Sequence, residues 1–225
     1  MLPVIGLPRG RLQGPTYNAL QKAGFEFPEY NPRNESRNYQ INSKYATFLL
    51  DHPMDLVKRV ALGDLDAAIV GGDSVAEFEA EYKKSRENGV NFFDSDALDV
   101  SGLPRYMSWH VVVLVKNNSK DQKFEDLLKR LKHRDIRYPI HSWTEYPYLE
   151  QDLVQRTLPG FNVGIYPYSR GEVIIFPSLG TTESKLRRGD SMFGLEVVST
   201  GGSALANELK ELEETSVQYG PVVVK

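Results

Sequence analysis

Hydrophobic positions along this chain follow two spacings that alternate with each other. Short apolar runs of strand length give way to segments whose apolar residues fall three and four apart, the mark of one helical face. Leu2 to Gly6 reads as a strand, and about Arg11 to Ala23 as a helix with Pro15 in its first turn and Gly24 as its stop. A second helix is expected where Asp51 is the N-cap, Pro53 stands in the first turn, Leu56, Val57 and Val60 share a face, and Gly63 lies past the end. Asp66 to Val70 forms a buried strand, and the Gly71-Gly72-Asp73-Ser74 turn opens a helix with Val75, Phe78 and Tyr82 on one face. This unit closes near Phe93.

The near-continuous apolar run Trp109 to Val115 begins a second unit and is of the kind buried on both faces of a parallel sheet. Helix Phe124 to His133, strand Ile136 to His141, helix Thr144 to Leu158, strand Val173 to Phe176, strand Phe193 to Val198 and helix Ser203 to Glu213 follow. The last strand, Ser216 to Val224, is expected to return to the first unit. An α/β fold of two lobes with a cleft between them is therefore predicted, lobe I over 1–98 completed by 214–225 and lobe II over 99–213.

Composition narrows the class. With 225 residues, 40% of them hydrophobic, the chain can bury a substantial core. Its 27 basic and 30 acidic residues form no basic stripe, so neither nucleic acid nor a membrane surface is an expected partner. There is no cysteine, which excludes disulfides, thiolate metal sites and a cysteine nucleophile and suits a cytoplasmic setting. The start of the chain reads as a first strand and not as a signal peptide, and no apolar run is long enough to span a bilayer.

Candidate chemistry concentrates in Glu196-Val197-Val198-Ser199-Thr200-Gly201-Gly202-Ser203-Ala204, a strand running into a small, hydroxyl- and glycine-rich turn before a helix. Glycines let the backbone approach a ligand closely, and free N–H groups at the following helix start favour an anion. Glu196, just before the turn, is placed to accept hydrogen bonds from sugar hydroxyls. Phosphate plus polyol suggests a phosphorylated sugar. An ordinary strand-turn-helix connection capped by Ser or Thr has the same pattern.

Several segments, colinear over almost the whole chain, resemble those of the ATP phosphoribosyltransferase family. Leu7-Pro8-Arg9-Gly10-Arg11-Leu12 is similar to its Pro-Lys-Gly-Arg-Leu, and Gly63 to Asp73 to its Gly-x-x-Asp-x-Gly-x-x-Gly-x-Asp. Thr144-Glu145-Tyr146-Pro147-Tyr148-Leu149 resembles Thr-Glu-Tyr-Pro-Asn-Leu, and Gly180-Thr181-Thr182-Glu183 resembles Gly-Ser-Val-Glu. The resemblance implies a periplasmic-binding-protein-like type II fold and a reaction in which N1 of ATP displaces pyrophosphate from C1 of phosphoribosyl pyrophosphate, opening histidine biosynthesis. By the same resemblance Ser199, Thr200, Gly201, Gly202, Ser203 and Ala204 hold the ribose 5-phosphate. Glu183 and Glu196 take the ribose hydroxyls and act as the catalytic pair. Arg9, Arg11, Gly71 and Asp73 serve ATP or pyrophosphate. Magnesium is expected mainly on the substrate, with no protein metal site. Where the long form of the family continues into a regulatory domain, the chain stops at Lys225. The short form is implied, a homo-oligomer with a separate regulatory subunit that resembles histidyl-tRNA synthetase.

Each residue also has an ordinary reading. Arg9 and Arg11 are solvated charges at a helix start, Glu183 a first-turn carboxylate, Asp73 and Thr144 helix caps, and the four histidines surface or core residues. Arg9, His52, Leu56-Val57 and Met192 depart from the family pattern; the Arg9, His52 and Met192 changes leave open a non-catalytic nucleotide-binding paralogue, and a two-lobed α/β fold with an anion-binding cleft leaves open a ligand-binding module. A further insertion, roughly Asn162 to Gly171, is expected to add a strand or hairpin, with Tyr166, Tyr168 and Arg170 at an edge or against a partner.

Overall fold

The computed structural model describes residues 2–32, 39–90, 98–104, 106–133, 139–169, 171–178, 180–199, 202–212 and 215–225, with only the backbone of 202 and 203. The chain divides into two compact units, Met1–Ser108 with Tyr219–Lys225, and Trp109–Gln218. In the first, β1 (Val4–Pro8) leads through a 3-10 turn, Gly10–Leu12, into α1 (Gln13–Lys22). Then follow β2 (Gln40–Asn42), β3 (Thr47–Asp51), α2 (Pro53–Ala61), β4 (Ala67–Gly71), α3 (Gly72–Glu87) and β5 (Val100–Gly102).

The second unit comprises β6 (Trp109–Lys116), α4 (Phe124–Lys132), β7 (Ile140–Thr144), α5 (Pro147–Thr157), β8 (Val163–Ile165), β9 (Val173–Pro177) and α6 (Thr182–Arg188). It continues with β10 (Gly194–Val198), α7 (Gly202–Ala206), β11 (Leu209–Glu211) and β12 (Val217–Tyr219). The final strand, β13 (Pro221–Val224), belongs to the first unit's sheet, whose order is β2-β3-β1-β4-β13-β5. β1 runs parallel to β3 and β4, while β13 runs antiparallel to β4 and β5. That pairing of β5 is why the first unit extends to Ser108 and not to 98, and the return crossing falls after Gln218 and not at 213.

The helical face anticipated at Leu56, Val57 and Val60 packs with Val75 and Phe78 of α3 on Ala68, Val70 and Val224. Burying this apolar surface is the main term holding the unit together. Gly6 is needed here, because a Cβ on it would lie 2.7 Å from Leu56 and 2.8 Å from Ala68. On the sheet's other cluster, Tyr30 is fully buried among Leu7, Phe27 and Phe48, and its hydroxyl donates to Pro8 O at 2.6 Å. Burial pushes that phenol well above its ordinary range.

The second unit departs from expectation in its sheets. β6 is buried along Val111 to Val115 as its apolarity requires, but β10 and β11 both pair with it antiparallel. Complete burial reflects coverage of both faces and does not set strand direction. A separate sheet, β7-β9-β8, is parallel throughout, and β8 is the strand added within 162–171. Tyr166 and Tyr168 beyond it are exposed, and Arg170 lies outside the described residues. The helix expected over Ser203 to Glu213 ends at Ala206, where a turn delivers Leu209 to β11. Burying Leu209 with Val112 and Leu114 outweighs the helical preference of this short segment. Among the described residues no helix is long and apolar enough to cross a membrane.

Candidate functional site

β10 carries Glu196 at its centre and ends directly before the glycine-rich stretch. The side chain is partly buried, and its Oε1 accepts the Val197 N–H at 2.9 Å. Loss of hydration, with the neighbouring Glu145 and Glu183 carboxylates repelling its charge, pushes Glu196 up to about 7. Glu183 stands in the first turn of α6, where its Oε2 accepts a hydrogen bond from Asn207 Nδ2 at 2.8 Å. Glu145 reaches back to the Gly180 N–H and so ties the end of β7 to the turn before α6. The two predicted carboxylates are thus gathered, and a third joins them. Asn207 and Glu145 escaped the sequence reading, although both stand beside quoted motifs.

Ser199 follows β10 and is exposed, and Ala204 is buried against Val112, Leu186 and Val198. Thr200 and Gly201 lie outside the described residues, as do the side chains of Gly202 and Ser203. The five residues of α7 place the backbone just past this turn in helical conformation. Met192 is exposed immediately before β10, so an apolar side chain stands where the family pattern has a carboxylate.

Behind β10, side chains replace a strand partner. Leu195 opposes Val113 in the antiparallel pair, and Val113 turns its N–H to Thr215 Oγ1 and its carbonyl to the Leu212 N–H, away from β10. Leu195 correspondingly points its own N–H and carbonyl away from β6. A single bridge, Ser142 to Phe193, links β7 to this edge. Beyond it Thr144 Oγ1 donates to Leu195 O at 2.6 Å, Ser142 Oγ donates to Phe193 O at 2.8 Å, and Glu150 Oε2 accepts the Leu195 N–H at 2.7 Å. Thr144 is therefore not the N-cap of α5. It ends β7, accepts the Tyr146 N–H at 3.0 Å, and leaves Tyr146 as the capping residue. Glu150, fully buried, has no counterpart among the predicted residues, since a Glu on a helix gives no signal that it faces inward.

The first unit holds the basic turn. Arg11 Nη2 lies 2.7 Å from Asp73 Oδ2, and the Asp73 side chain is buried. Asp73 is thus neither the N-cap of α3, which is Gly71, nor an open ligand group; it anchors Arg11. Arg9 stacks its guanidinium 4.3 Å from the centroid of Tyr39. Gly71 ends β4, and the next N–H, of Gly72, donates to Gly220 O at 2.9 Å. Asp51 likewise is not a cap: His52 caps α2, and Asp51 pairs with Arg59 and accepts the His52 N–H.

No known family profile matches the chain. It is similar in sequence to proteins named ATP phosphoribosyltransferase. One, from Geobacillus sp. (strain WCH70), is 31% identical over 100 residues, 44% of this chain and 47% of the relative. Another, from Chelativorans sp. (strain BNC1), is 26% identical over 220 residues, 95% of this chain and 85% of the relative. The chain spans about half the length of the first curated relatives it matches. Among solved structures, the ATP phosphoribosyl transferase (HisG:HisZ) complex from Thermotoga maritima matches with a TM-score of 0.65 at 17% identity, covering 100% of this chain and 87% of that one. A histidine kinase sensor domain with similarity to periplasmic binding proteins matches with a TM-score of 0.52 at 12% identity, covering 100% and 82%. These likenesses show the fold, a two-unit α/β architecture of the periplasmic-binding-protein-like type II class.

Proposed function

We propose that the chain is the catalytic subunit of a short-form ATP phosphoribosyltransferase, joining N1 of ATP to C1 of phosphoribosyl pyrophosphate in the first step of histidine biosynthesis. The observation that carries this reading is the convergence of Glu145, Glu183 and Glu196 beside the strand that leads into 199–204. In the transfer, the C1–O bond breaks with its electron pair going to pyrophosphate, and the N1 lone pair forms the new C1–N bond. Positive charge builds on the ribose ring between these events. Carboxylates held at the ribose hydroxyls oppose that charge, and positioning supplies most of the remaining acceleration.

The roles proposed rest on the resemblance and are supported by the contacts around each residue. Glu196 and Glu183 receive the ribose hydroxyls, with Glu183 oriented by Asn207. By the same proposal Ser199, Thr200, Gly201, Gly202, Ser203 and Ala204 form the segment that takes the 5-phosphate. Arg9 and Arg11 take polyphosphate oxygens, Gly71 keeps the turn open, and Asp73 orients Arg11 from behind. Among the described residues no three of His, Asp or Glu form a metal cage. The donor set fits magnesium carried by substrate phosphates, with Glu145 and Glu183 available to its waters, and the ion supplies charge neutralisation on the leaving group. Homo-oligomerisation, and a second subunit of the kind present in the Thermotoga maritima complex, belong to the same proposal.

The test is ultraviolet absorbance of the purified protein with ATP, phosphoribosyl pyrophosphate, Mg²⁺ and pyrophosphatase, with and without a histidyl-tRNA-synthetase-like subunit. Substitution at adenine N1 changes the chromophore, so a substrate-dependent rise and the product mass are expected. ATP binding without product under both conditions would overturn catalysis in favour of a nucleotide-binding regulatory protein.

A further inference from the structure

We propose that Glu150 is held as a neutral carboxylic acid with its proton on Oε1, and that it is a positioning residue fixing the backbone of β10 beside Glu196. The role in turnover rests on the function proposed above; the protonation state does not. Four observations carry it. Glu150 is completely buried, so an ionised form would lose its hydration with no cation in return. Its Oε2 is an acceptor for the Leu195 N–H at 2.7 Å, a role that the carbonyl oxygen of a carboxylic acid fills as well as a carboxylate does.

The third observation is that nothing donates to Oε1. The nearby hydroxyls of Ser142 and Thr144 each have one hydrogen, and both are spent, on Phe193 O at 2.8 Å and Leu195 O at 2.6 Å. Among the described residues Oε1 has no hydrogen-bond partner when read as an acceptor. Read as O–H it has partners, because both hydroxyl oxygens border the carboxyl group and a hydroxyl oxygen has two lone pairs. Ser142 Oγ donates outward and is open to accept. Thr144 Oγ1 already accepts the Tyr146 N–H. Phe193 O also accepts from Ser191 Oγ at 2.5 Å, and with both hydroxyls aimed at carbonyls it is a proton on Oε1 that gives this buried oxygen a partner.

Fourth, the groups facing Glu150 are the Ser142 and Thr144 hydroxyls of β7 and the Leu195 N–H of β10, and no charged side chain contributes to its shift. Burial alone pushes it up to about 7, so the proton is retained through weakly acidic solution. Along α5 the charged neighbour Asp152 is paired with Arg156 at 2.8 Å, and the flanking Glu145 and Glu196 are carboxylates that would reinforce retention. With Thr144 on its carbonyl and Glu150 on its N–H, the Leu195 peptide is gripped from both sides. Glu196 is the next residue, so the direction of its side chain is set by this grip.

The experiment compares Glu150→Gln with Glu150→Leu, using Glu196→Gln as a control. An amide keeps an acceptor for Leu195 and a hydrogen donor for Ser142, so Glu150→Gln is expected to retain thermal stability at pH 6 and turnover within about threefold. Glu150 and Glu196 both stand near 7, so the infrared C=O absorption of protonated carboxyl groups at pH 6 should lose one component in Glu150→Gln, distinct from the component that Glu196→Gln removes. Glu150→Leu leaves the Leu195 N–H buried and unbonded, and is expected to lower kcat by about tenfold or more with a smaller change in KM. An unchanged carboxyl band in Glu150→Gln, or stability and activity lost in Glu150→Gln as severely as in Glu150→Leu, would overturn the proposal. If Glu150→Leu does not fold, the infrared component and the thermal stability of Glu150→Gln decide alone. Neither depends on the reaction, so a failure of the proposed function stays distinguishable from a failure here.

Discussion

In the first unit the buried Asp73 carboxylate meets Arg11 at 2.7 Å, whereas in the second Glu196 is surrounded by carboxylates of its own sign. The two arrangements handle buried charge in opposite ways. Pairing gives Arg11 a fixed direction. Burial, reinforced by the Glu145 and Glu183 carboxylates, raises Glu196 to about 7. A folded protein gains nothing in stability from gathering like charges; a cationic ribosyl centre arriving between them gains a great deal. Under the proposed function the basic turn would hold an anion, and the acidic rim would stabilise a charge that exists only during reaction.

Breaking the acidic side should have the largest effect. Glu196→Gln is expected to lower turnover by about a hundredfold while leaving the melting temperature unchanged or slightly raised, because a like charge is removed. Equal losses of activity and stability, measured in the absorbance assay and by thermal melts, would remove Glu196 from the site. On the paired side the balance reverses. Arg11→Ala strands the buried Asp73 charge, and since Arg11 is itself partly exposed the expected loss is about 2 kcal/mol. Asp73→Asn should cost less, because the arginine it releases can reach water, and chemical denaturation of both variants checks the order.

Titration sharpens the contrast. The folded values of Glu150 and Glu196 stand near 7 against an ordinary 4.5. A raised acid binds protons more tightly in the folded state, so its contribution to stability is complete below about 4.5 and is lost as pH rises through about 7. Melting temperature should therefore fall by roughly 5 °C between pH 5 and 8. Turnover should move the other way, rising through about pH 7 as Glu196 ionises. Asp121, held below the carboxylate range by Arg130, acts with opposite sign and only in more acidic solution. The smallest effect is expected for Thr144→Val, about 1 kcal/mol from the lost bonds to Leu195 O and Tyr146 N–H, read from denaturant midpoints.

Much of this was legible in the residues. Pro53, Gly63 and the Leu56, Val57, Val60 spacing bounded α2 closely, because caps and helical periodicity are local. Glu196 was singled out from its place before a hydroxyl- and glycine-rich turn, and Glu183 from the resemblance of Gly180-Thr181-Thr182-Glu183 to a family motif. What stayed hidden depends on distant partners. β2, β3 and β11 are short and gain definition only from pairing with strands remote in sequence, and nothing local distinguishes antiparallel from parallel neighbours of β6. Asp73 as an anchor for Arg11 joins residues 62 apart.

The sequence by itself determined the α/β class and the positions of the main helices, and it singled out Glu183, Glu196 and 199–204 as candidates, since each is written in spacing and residue type within a few positions. Tertiary structure alone decided which charges meet. Only folding sets Arg11 against Asp73, adds Glu145 and Asn207 to the acidic rim, and turns Glu150 inward onto the Leu195 peptide. The physical reason is that hydrogen bonding and burial act through space, and a carboxylate's partner, protonation state and role are fixed by what the fold brings within about 3 Å of it.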